Sequence, residues 1–246
     1  MSRLAQGLKL LRWREFRLRP VRCPFCGPSV LVRLRGDDEA AVRCLRCAAS
    51  TVHLAMGRAI CKVMPGLSGR DVCEFSARGP LTAWLRRRAA SVACSEYFSD
   101  AQSGELRDGV RCEDMQRLSY ADESFDLITH TEVLEHVPDD LRAMRECLRV
   151  LRPGGVMLFT VPVYAGEVTV ERAELDADGA IRHLEPPLHH IDPLRGEGIL
   201  AFRDYRRDIL QRLREAGFVE SALLEALPSL PWSNGRPVIF SRKASN

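Results

Sequence analysis

The sequence predicts an α/β protein, in which a doubly wound, mostly parallel sheet of seven strands follows a small cysteine-rich module. From residue 70 onward, short apolar runs typical of strands alternate with stretches of helical period, the pattern of a parallel sheet covered on both faces. Residues 1–65 instead carry two Cys-x2-Cys pairs and a surplus of basic side chains. We therefore divide the chain into an N-terminal module, residues 1–65, and an α/β domain, residues 66–246.

The module begins with a predicted amphipathic helix that precedes its cysteines. Leu4, Leu8, Leu11 and Leu18 recur near helical spacing with arginines between them, and Pro20 would end the helix. Strand-like residues 30–34 and a turn then lead from the first cysteine pair to the second.

Four cysteines of the module form a predicted zinc site of the zinc-ribbon type: Cys23, Cys26, Cys44 and Cys47. Each Cys-x2-Cys turn presents two thiolates to one side of an ion, and 17 residues separate the two pairs, a spacing typical of structural zinc. Four thiolates leave no coordination position open, so the predicted role is structural. The other five cysteines, Cys61, Cys73, Cys94, Cys112 and Cys147, are predicted to be small buried apolar residues.

The α/β domain contains seven predicted strands and three predicted helices. The strands cover 70–75, 91–95, 110–112, 125–130, 156–161, 218–223 and 237–241, and the helices cover 80–90, 139–151 and 202–216. Asp139 and Asp140 favour the start of the second helix, and Gly217 the end of the third. The last two strands are predicted to form the edge of the sheet.

Acidic residues stand where the first three strands end. Glu74 closes the first strand, Glu96 the second, and Glu113-Asp114 the third. In a doubly wound sheet these ends meet at one edge, where the acid after the second strand can accept from two ribose hydroxyls. The chain has neither the G-x-G-x-x-G of a dinucleotide site after a strand nor a G-x4-G-K-[ST] loop.

Two further segments carry a resemblance to a known family. Residues 132–139 read EVLEHVPD and residues 150–155 read VLRPGG. With the acidic strand ends, they make residues 66–246 resemble the class I S-adenosylmethionine-dependent methyltransferases, which implies a Rossmann-like fold and that methyl donor. The donor-binding residues implied by the resemblance are Glu74, Phe75, Ser76, Ala77, Arg78, Gly79, Glu96, Tyr97, Asp114, Met115 and Thr131.

Their implied roles differ. Glu74 and the 75–79 turn would hold the methionine part, Glu96 the ribose hydroxyls, and Asp114 the adenine amino group. Tyr97 would lie beside the adenine and Met115 would cover it. The family's first turn reads E/D-x-G-x-G-x-G, whereas here Ser76, Arg78 and Pro80 replace the glycines. Because glycine permits a close approach of the backbone, these replacements change the expected geometry of the turn. Arg78 could instead pair with the donor's carboxylate.

A long insertion, residues 163–201, contains a predicted hairpin. At the carboxyl edge of the sheet it is predicted to form a lid that covers the active site and selects the acceptor. By the same resemblance, His130, Thr131, Glu132 and His136 face the acceptor. Some relatives carry PP-x-Y-H-x-DP in this insertion, which Pro186–Pro193 matches apart from His189. His190 is thus the first candidate base and His136 the second, with a structural histidine as the alternative for each. A metal at His183, His189 and His190 would lack a regular ligand spacing.

Charge leaves the acceptor class open. Residues 1–65 hold 13 Lys/Arg against 4 Asp/Glu, whereas the remainder holds 23 against 29. A small-molecule acceptor (hydroxyl, amine or acidic carbon) is the leading hypothesis. An RNA or protein methyltransferase that docks its substrate on the basic module is the alternative, and a non-catalytic binding protein the third. No apolar run is long enough to span a membrane, and we expect a cytoplasmic protein.

Overall fold

The computed structural model describes residues 15–34, 41–191, 198–224, 230–233 and 235–245. Its first three strands, β1 (Arg17–Cys23), β2 (Gly27–Arg33) and β3 (Val42–Cys44), form an antiparallel sheet in the order β1-β2-β3. Leu18 therefore lies in a strand, paired with Val32, and not in the predicted helix. Strand pairing over seven residues outweighs the weak helical pattern. The rest of that predicted helix, residues 4–14, lies outside the described residues.

Helix α1 (Thr51–Val63) is the last element of the module and packs on the main sheet. The sequence analysis did not predict it. Ser50 caps its N-terminus: the Ser50 hydroxyl accepts from the His53 amide at 3.3 Å, and the Ser50 amide donates to His53 Nδ1 at 3.3 Å. Burial lowers the pKa of His53 to about 4, with the Arg43 charge acting in the same direction. His53 is thus a neutral capping residue.

The remaining strands, in chain order, are β4 (Asp71–Glu74), β5 (Ser91–Glu96), β6 (Leu106–Arg107), β7 (Val110–Cys112), β8 (Phe125–Thr131), β9 (Leu151–Thr160), β10 (Val170–Glu171), β11 (Ala173–Leu175), β12 (Ile181–His183), β13 (His189–Ile191), β14 (Gly198–Leu200), β15 (Arg203–Asp204), β16 (Glu220–Leu224) and β17 (Val238–Arg242). The helices that follow α1 are α2 (Pro80–Leu85), α3 (Asp140–Val150) and α4 (Ile209–Ala216).

The main sheet has the order β16-β17-β9-β8-β4-β5-β7-β6. Strands β4, β5, β7, β8 and β9 are parallel, while β17 runs antiparallel to β9. The described sheet has eight strands where seven were predicted, because the two-residue β6 forms a hairpin with β7 at one edge. Strand β16 alone forms the other edge, since β17 lies between β16 and β9.

Both faces of the sheet are covered. One face packs on α1 and α2 through Leu54, Ile60 and Trp84, whereas the other packs on α3 and α4 through Met144 and Leu213. Adjacent strand residues alternate between the two cores, as Leu158 and Phe159 do in β9. The predicted mostly parallel, Rossmann-like sheet is thus confirmed.

Several predicted boundaries are wrong. Helix α2 ends at Leu85, five residues before the predicted end. Helix α4 begins at Ile209 because residues 203–204, predicted to be helical, pair with β10 as strand β15. Strand β9 starts directly after α3, and the register shift between Phe125 and Leu127 makes residues 152–155 a bulge. Among the five cysteines outside the predicted zinc site, all of which were predicted to be buried, Cys61 is exposed.

No helix in the described part of the chain is both long and apolar enough to cross a membrane.

Candidate functional site

The candidate site lies where the parallel strands β4, β5, β7 and β8 end. Strand β4 is flanked by β5 on one side and by β8 on the other. The chain leaves β4 toward β5 and leaves the neighbouring β8 toward β9, in opposite directions. The crevice between two such connections is the usual ligand-binding place of a doubly wound sheet.

Glu74 is a buried acid at the end of β4. Its side chain is 1% exposed, and the Thr129 hydroxyl of β8 donates to its carboxylate. Burial raises the pKa of Glu74 to about 8, against the opposing effect of the Thr129 hydrogen bond. This carboxyl group consequently holds its proton at neutral pH.

Side-chain hydrogen bonds close the first turn, residues 75–79, in the absence of the family's outer glycines. The Ser76 hydroxyl donates to the Arg78 carbonyl at 2.8 Å, and the Thr82 hydroxyl donates to the Ser76 carbonyl at 3.0 Å. Gly79 has a φ of +138°, which strains other residues, and Pro80 occupies the first helical position. The turn therefore has a glycine at the one described position in 75–79 where φ is positive, although this is not a glycine position of the family's pattern.

Glu96 and the first turn are in direct contact. The Ala77 amide donates to Glu96 Oε1 at 3.0 Å, as expected for the acid at the end of the second strand of such a sheet. Phe75 and Ala77 are buried, whereas the Arg78 side chain is exposed at the rim. The turn and the second acidic strand end thus form one wall of the crevice.

The end of β7 supplies the next wall. Asp114 accepts from the Gln116 amide at 2.9 Å and from Gln116 Nε2 at 3.1 Å. Met115 beside it is buried, and Tyr97 after β5 is 55% exposed. Glu113 instead points inward and pairs with Arg111 at 2.7 Å, so of the two neighbouring acids Asp114 is the one that faces outward.

A second cluster brings together Glu135, His136 and His190, one ligand atom from each lying within 4.8 Å of the others. Glu135 Oε1 is 3.7 Å from His190 Nδ1 and 3.9 Å from His136 Nε2. The two imidazole rings meet edge to face with centroids 5.1 Å apart. Glu135 raises the pKa of His190 despite the opposing effect of burial. Both histidines predicted to act on the acceptor thus lie side by side.

His130 does not face this site, and its prediction as an acceptor-facing residue is wrong. The side chain is fully buried and stacks on Phe159, with centroids 4.6 Å apart. Burial lowers the pKa of His130 to about 3. Residues alternate between the faces of a strand, so His130 belongs to the core. Thr131, the next residue, is half-buried at the strand end, and Glu132 pairs with Arg236.

The insertion is tied to the sheet beside the histidine cluster. It contains the predicted hairpin, formed by β11 and β12, and a second pair formed by β13 and β14. The Phe202 amide donates to the Glu135 carbonyl at 2.8 Å. Asp192 and Pro193, the end of the segment that matches PP-x-Y-H-x-DP, lie outside the described residues.

A buried arginine that sequence reasoning missed anchors the lid. Arg203 donates to the Val137 and Pro138 carbonyls, each at 2.6 Å, and lies 3.1 Å from the Glu171 carboxylate. The Tyr205 hydroxyl donates to Asp140 at 2.9 Å. Arg203 and Tyr205 fall in the stretch that was predicted to be helical, and no local pattern distinguishes them from other residues there.

The four cysteines of the module form a compact cluster. The sulfur atoms of Cys23 and Cys47 are 3.6 Å apart, as are those of Cys26 and Cys44. Zinc–sulfur bonds of about 2.3 Å in a tetrahedron give sulfur separations of about 3.8 Å, which fits these distances. Each Cys-x2-Cys segment is followed by a residue with positive φ, Gly27 at +77° and Ala48 at +61°. This backbone conformation turns the chain around the sulfur atoms.

Comparison with known families bears on the main crevice. Residues 76–159 match a family model described as a methyltransferase domain. The match covers the first turn after Glu74, the strand ends and most of β9, and so includes both walls of the crevice.

Curated relatives match a similar central region. Methyltransferase GfsG of Streptomyces halstedii is 40% identical over 99 residues, covering 36% of each chain. The ubiquinone biosynthesis O-methyltransferase of Coxiella burnetii is 37% identical over 103 residues, 38% of this chain and 44% of that protein. The chain thus spans less than half the length of these curated relatives.

Solved structures share the fold over a longer stretch. An S-adenosylmethionine-dependent methyltransferase of Mesorhizobium loti has a TM-score of 0.50 at 20% identity, over 77% of this chain and 98% of that one. The 1,6-didemethyltoxoflavin-N1-methyltransferase of Burkholderia thailandensis has a TM-score of 0.50 at 15% identity, over 79% of each chain. These likenesses show the fold.

Proposed function

We propose that this chain transfers the methyl group of S-adenosylmethionine to a small-molecule acceptor. The observation that carries the proposal is the crevice at the strand ends, where Glu96, the last residue of β5, accepts from the backbone of the first turn. That crevice lies within the region that matches a methyltransferase domain.

Each wall of the crevice has a role in holding the donor. Glu74 and the 75–79 turn hold the methionine part, with Arg78 at the rim near the donor's carboxylate. Glu96 accepts from the ribose hydroxyls, and Asp114 from the adenine amino group. Tyr97, Met115 and Thr131 complete the pocket around the adenine and sulfonium. Supporting this assignment, the Glu96 carboxylate accepts from the Ala77 amide of the first turn, and the Asp114 carboxylate accepts from the Gln116 amide after β7.

The acceptor binds on the other side of β8, under the lid, where His190 and His136 act on it. The Arg203 hydrogen bonds that hold the lid to the Val137 and Pro138 carbonyls favour a small acceptor over a macromolecule. The Coxiella relative is named for ubiquinone biosynthesis and O-methylation, which favours a hydroxyl acceptor over an amine or an acidic carbon. The cysteine cluster holds one structural zinc ion, as its sulfur separations support.

Docking of RNA or protein on the basic module is the second candidate, and it has weaker support. Phe25, one of three aromatic residues in the module, is buried against Trp84 with ring centroids 5.2 Å apart. It therefore has no free face for a nucleic-acid base.

A cytoplasmic location stays a prediction from the sequence.

Labelled methyl donor distinguishes the two candidates. The full chain is incubated with S-adenosylmethionine labelled in its methyl group and with a cell extract that has been split by size. Transfer of label into the small-molecule fraction is the expected result, and it should require the chain. Label that enters only RNA or protein would overturn the small-molecule assignment, and no transfer in any fraction would overturn the activity.

A further inference from the structure

We propose that Glu135, His136 and His190 bind a divalent first-row transition metal ion at the acceptor side of the crevice. This site is separate from the cysteine cluster and differs from the histidine triad considered from the sequence. Of those three histidines, His183 and His189 are exposed, and only His190 joins the cluster.

The burial of Glu135 is the observation that points most strongly to a cation site. Its side chain is 1% exposed, and neither carboxylate oxygen has a hydrogen-bond partner among the described residues. Burying a carboxylate without a hydrogen bond is costly unless a positive charge compensates it. The oxygen Oε1 points to the gap between the two imidazoles, 3.7 Å from one and 3.9 Å from the other.

His136 presents the ring nitrogen that a metal requires. Its Nδ1 lies 2.8 Å from the Leu200 carbonyl, and a carbonyl can only accept, so Nδ1 carries the proton. The lone pair is therefore on Nε2, the atom that faces Glu135. A histidine that donates through one nitrogen to a carbonyl and binds through the other is the usual arrangement of a metal ligand.

The distances suit one ion after a small contraction. Donor atoms about 2.1 Å from a zinc-like ion are separated by about 3.4 Å in a tetrahedron, whereas the three atoms here lie within 4.8 Å of one another. His190 lies on β13 with its side chain 30% exposed, so its ring has room to move inward. Two imidazoles and one carboxylate are donors that suit ions from Mn²⁺ to Zn²⁺.

Three protein ligands leave positions for the acceptor, and this role rests on the proposed function. A hydroxyl bound to the ion loses its proton to water more readily, because the charge of the ion lowers its pKa. The resulting oxygen attacks the donor's methyl carbon. The new bond is O–CH3, the S–CH3 bond breaks, and the sulfonium becomes a neutral thioether. His190 is then a ligand and not the base that the sequence predicts.

Binding of Mn²⁺ tests the site directly. The full chain as purified is titrated with Mn²⁺ alone, and electron paramagnetic resonance measures the free ion. Thiolates are poor Mn²⁺ ligands, so the cysteine cluster does not compete. We expect one saturable site per chain, with the Kd rising at least about tenfold in Glu135→Gln and in His190→Ala, since even second-layer changes have effects of this size. His189→Ala, a change in the exposed neighbour, should leave the Kd unaltered.

No saturable Mn²⁺ binding, or equal binding by wild type, Glu135→Gln and His190→Ala, would overturn the proposal. Circular dichroism of each variant checks that it folds. If Glu135→Gln does not fold, His190→Ala still tests the site, because His190 is only half-buried. Binding of S-adenosylhomocysteine is measured in the same samples. Donor binding without Mn²⁺ binding would contradict only the metal site, whereas Mn²⁺ binding without donor binding would contradict only the proposed function.

Discussion

The titration of Glu74 should be visible in the pH dependence of the free energy of unfolding. Its pKa lies near 8 because of burial, above its ordinary value of 4.5. Between these values the folded chain holds a proton that the unfolded chain has released. The free energy of unfolding therefore falls as pH rises through this window.

Replacing Glu74 with Gln removes that dependence. Chemical unfolding of both proteins without donor, at about pH 5 and about pH 7.5, should show the stability of the wild type falling relative to Glu74→Gln as pH rises. If the difference in free energy of unfolding between the two proteins stayed constant with pH, the pKa of Glu74 in the folded chain would be its ordinary value.

His190 is expected to matter for transfer and not for donor binding. It lies beside Glu135 and His136, on the lid side of the crevice. His190→Ala should lower turnover by at least about 100-fold, the lower bound for loss of a group that assists proton removal. Donor affinity and melting temperature should be unchanged. His189→Ala is the matched control, and an equal loss of stability in His190→Ala would make His190 structural.

At the scale of elements, Asp139 caps helix α3, which begins one residue later than predicted. Its carboxylate accepts from the Arg142 amide at 2.9 Å, at the start of α3. Asp139→Ala should lower the free energy of unfolding by about 0.5–2 kcal/mol, whereas Asp139→Asn should cost little because asparagine caps equally well. Urea unfolding measures both. Equal stability of the alanine and asparagine variants would contradict the capping role.

Elements with strong local signals were predictable, as the central strands show. Strand β8 and helix α3 have periodic apolar residues and a capping acid, and their predicted bounds differ from the structure by only a residue or so. Leu18 and residues 203–204 were assigned wrongly because partners distant in the sequence, β2 and β10, pair with them. The local periodicity of apolar residues gives no information about which strands will pair.

The same limit applies to the candidate site. Glu96 was predictable, since the topology alone brings the end of the second strand to the first turn. Glu135 was not singled out, because its burial between His136 and His190 depends on the lid. His130 was misassigned because one position along a strand reverses the face on which a side chain lies.

At the scale of the molecule, the cysteine module and the sheet share one hydrophobic core. Phe25 and Leu31 of the module pack in the cluster that contains Trp84 and Leu158. A structural zinc ion contributes about 10–16 kcal/mol to the folding of small modules, so its loss should also expose this face of the sheet.

Cys44→Ser tests this coupling. The variant should contain one zinc equivalent less than wild type by elemental analysis and should melt at a lower temperature. Cys61→Ser, which changes an exposed cysteine outside the cluster, should keep both properties. Unaltered zinc content in Cys44→Ser would refute the assignment of the four cysteines.

The central claim is that the crevice at the strand ends binds the methyl donor, and calorimetry with S-adenosylhomocysteine tests it most directly. We predict one binding site per chain, weakened by about 1–3 kcal/mol in Glu96→Ala because hydrogen bonds to a charged group are lost. The control Glu105→Ala, a change in an exposed acid nearby, should bind as wild type does. Absence of binding, or equal binding by wild type and Glu96→Ala, would contradict the account.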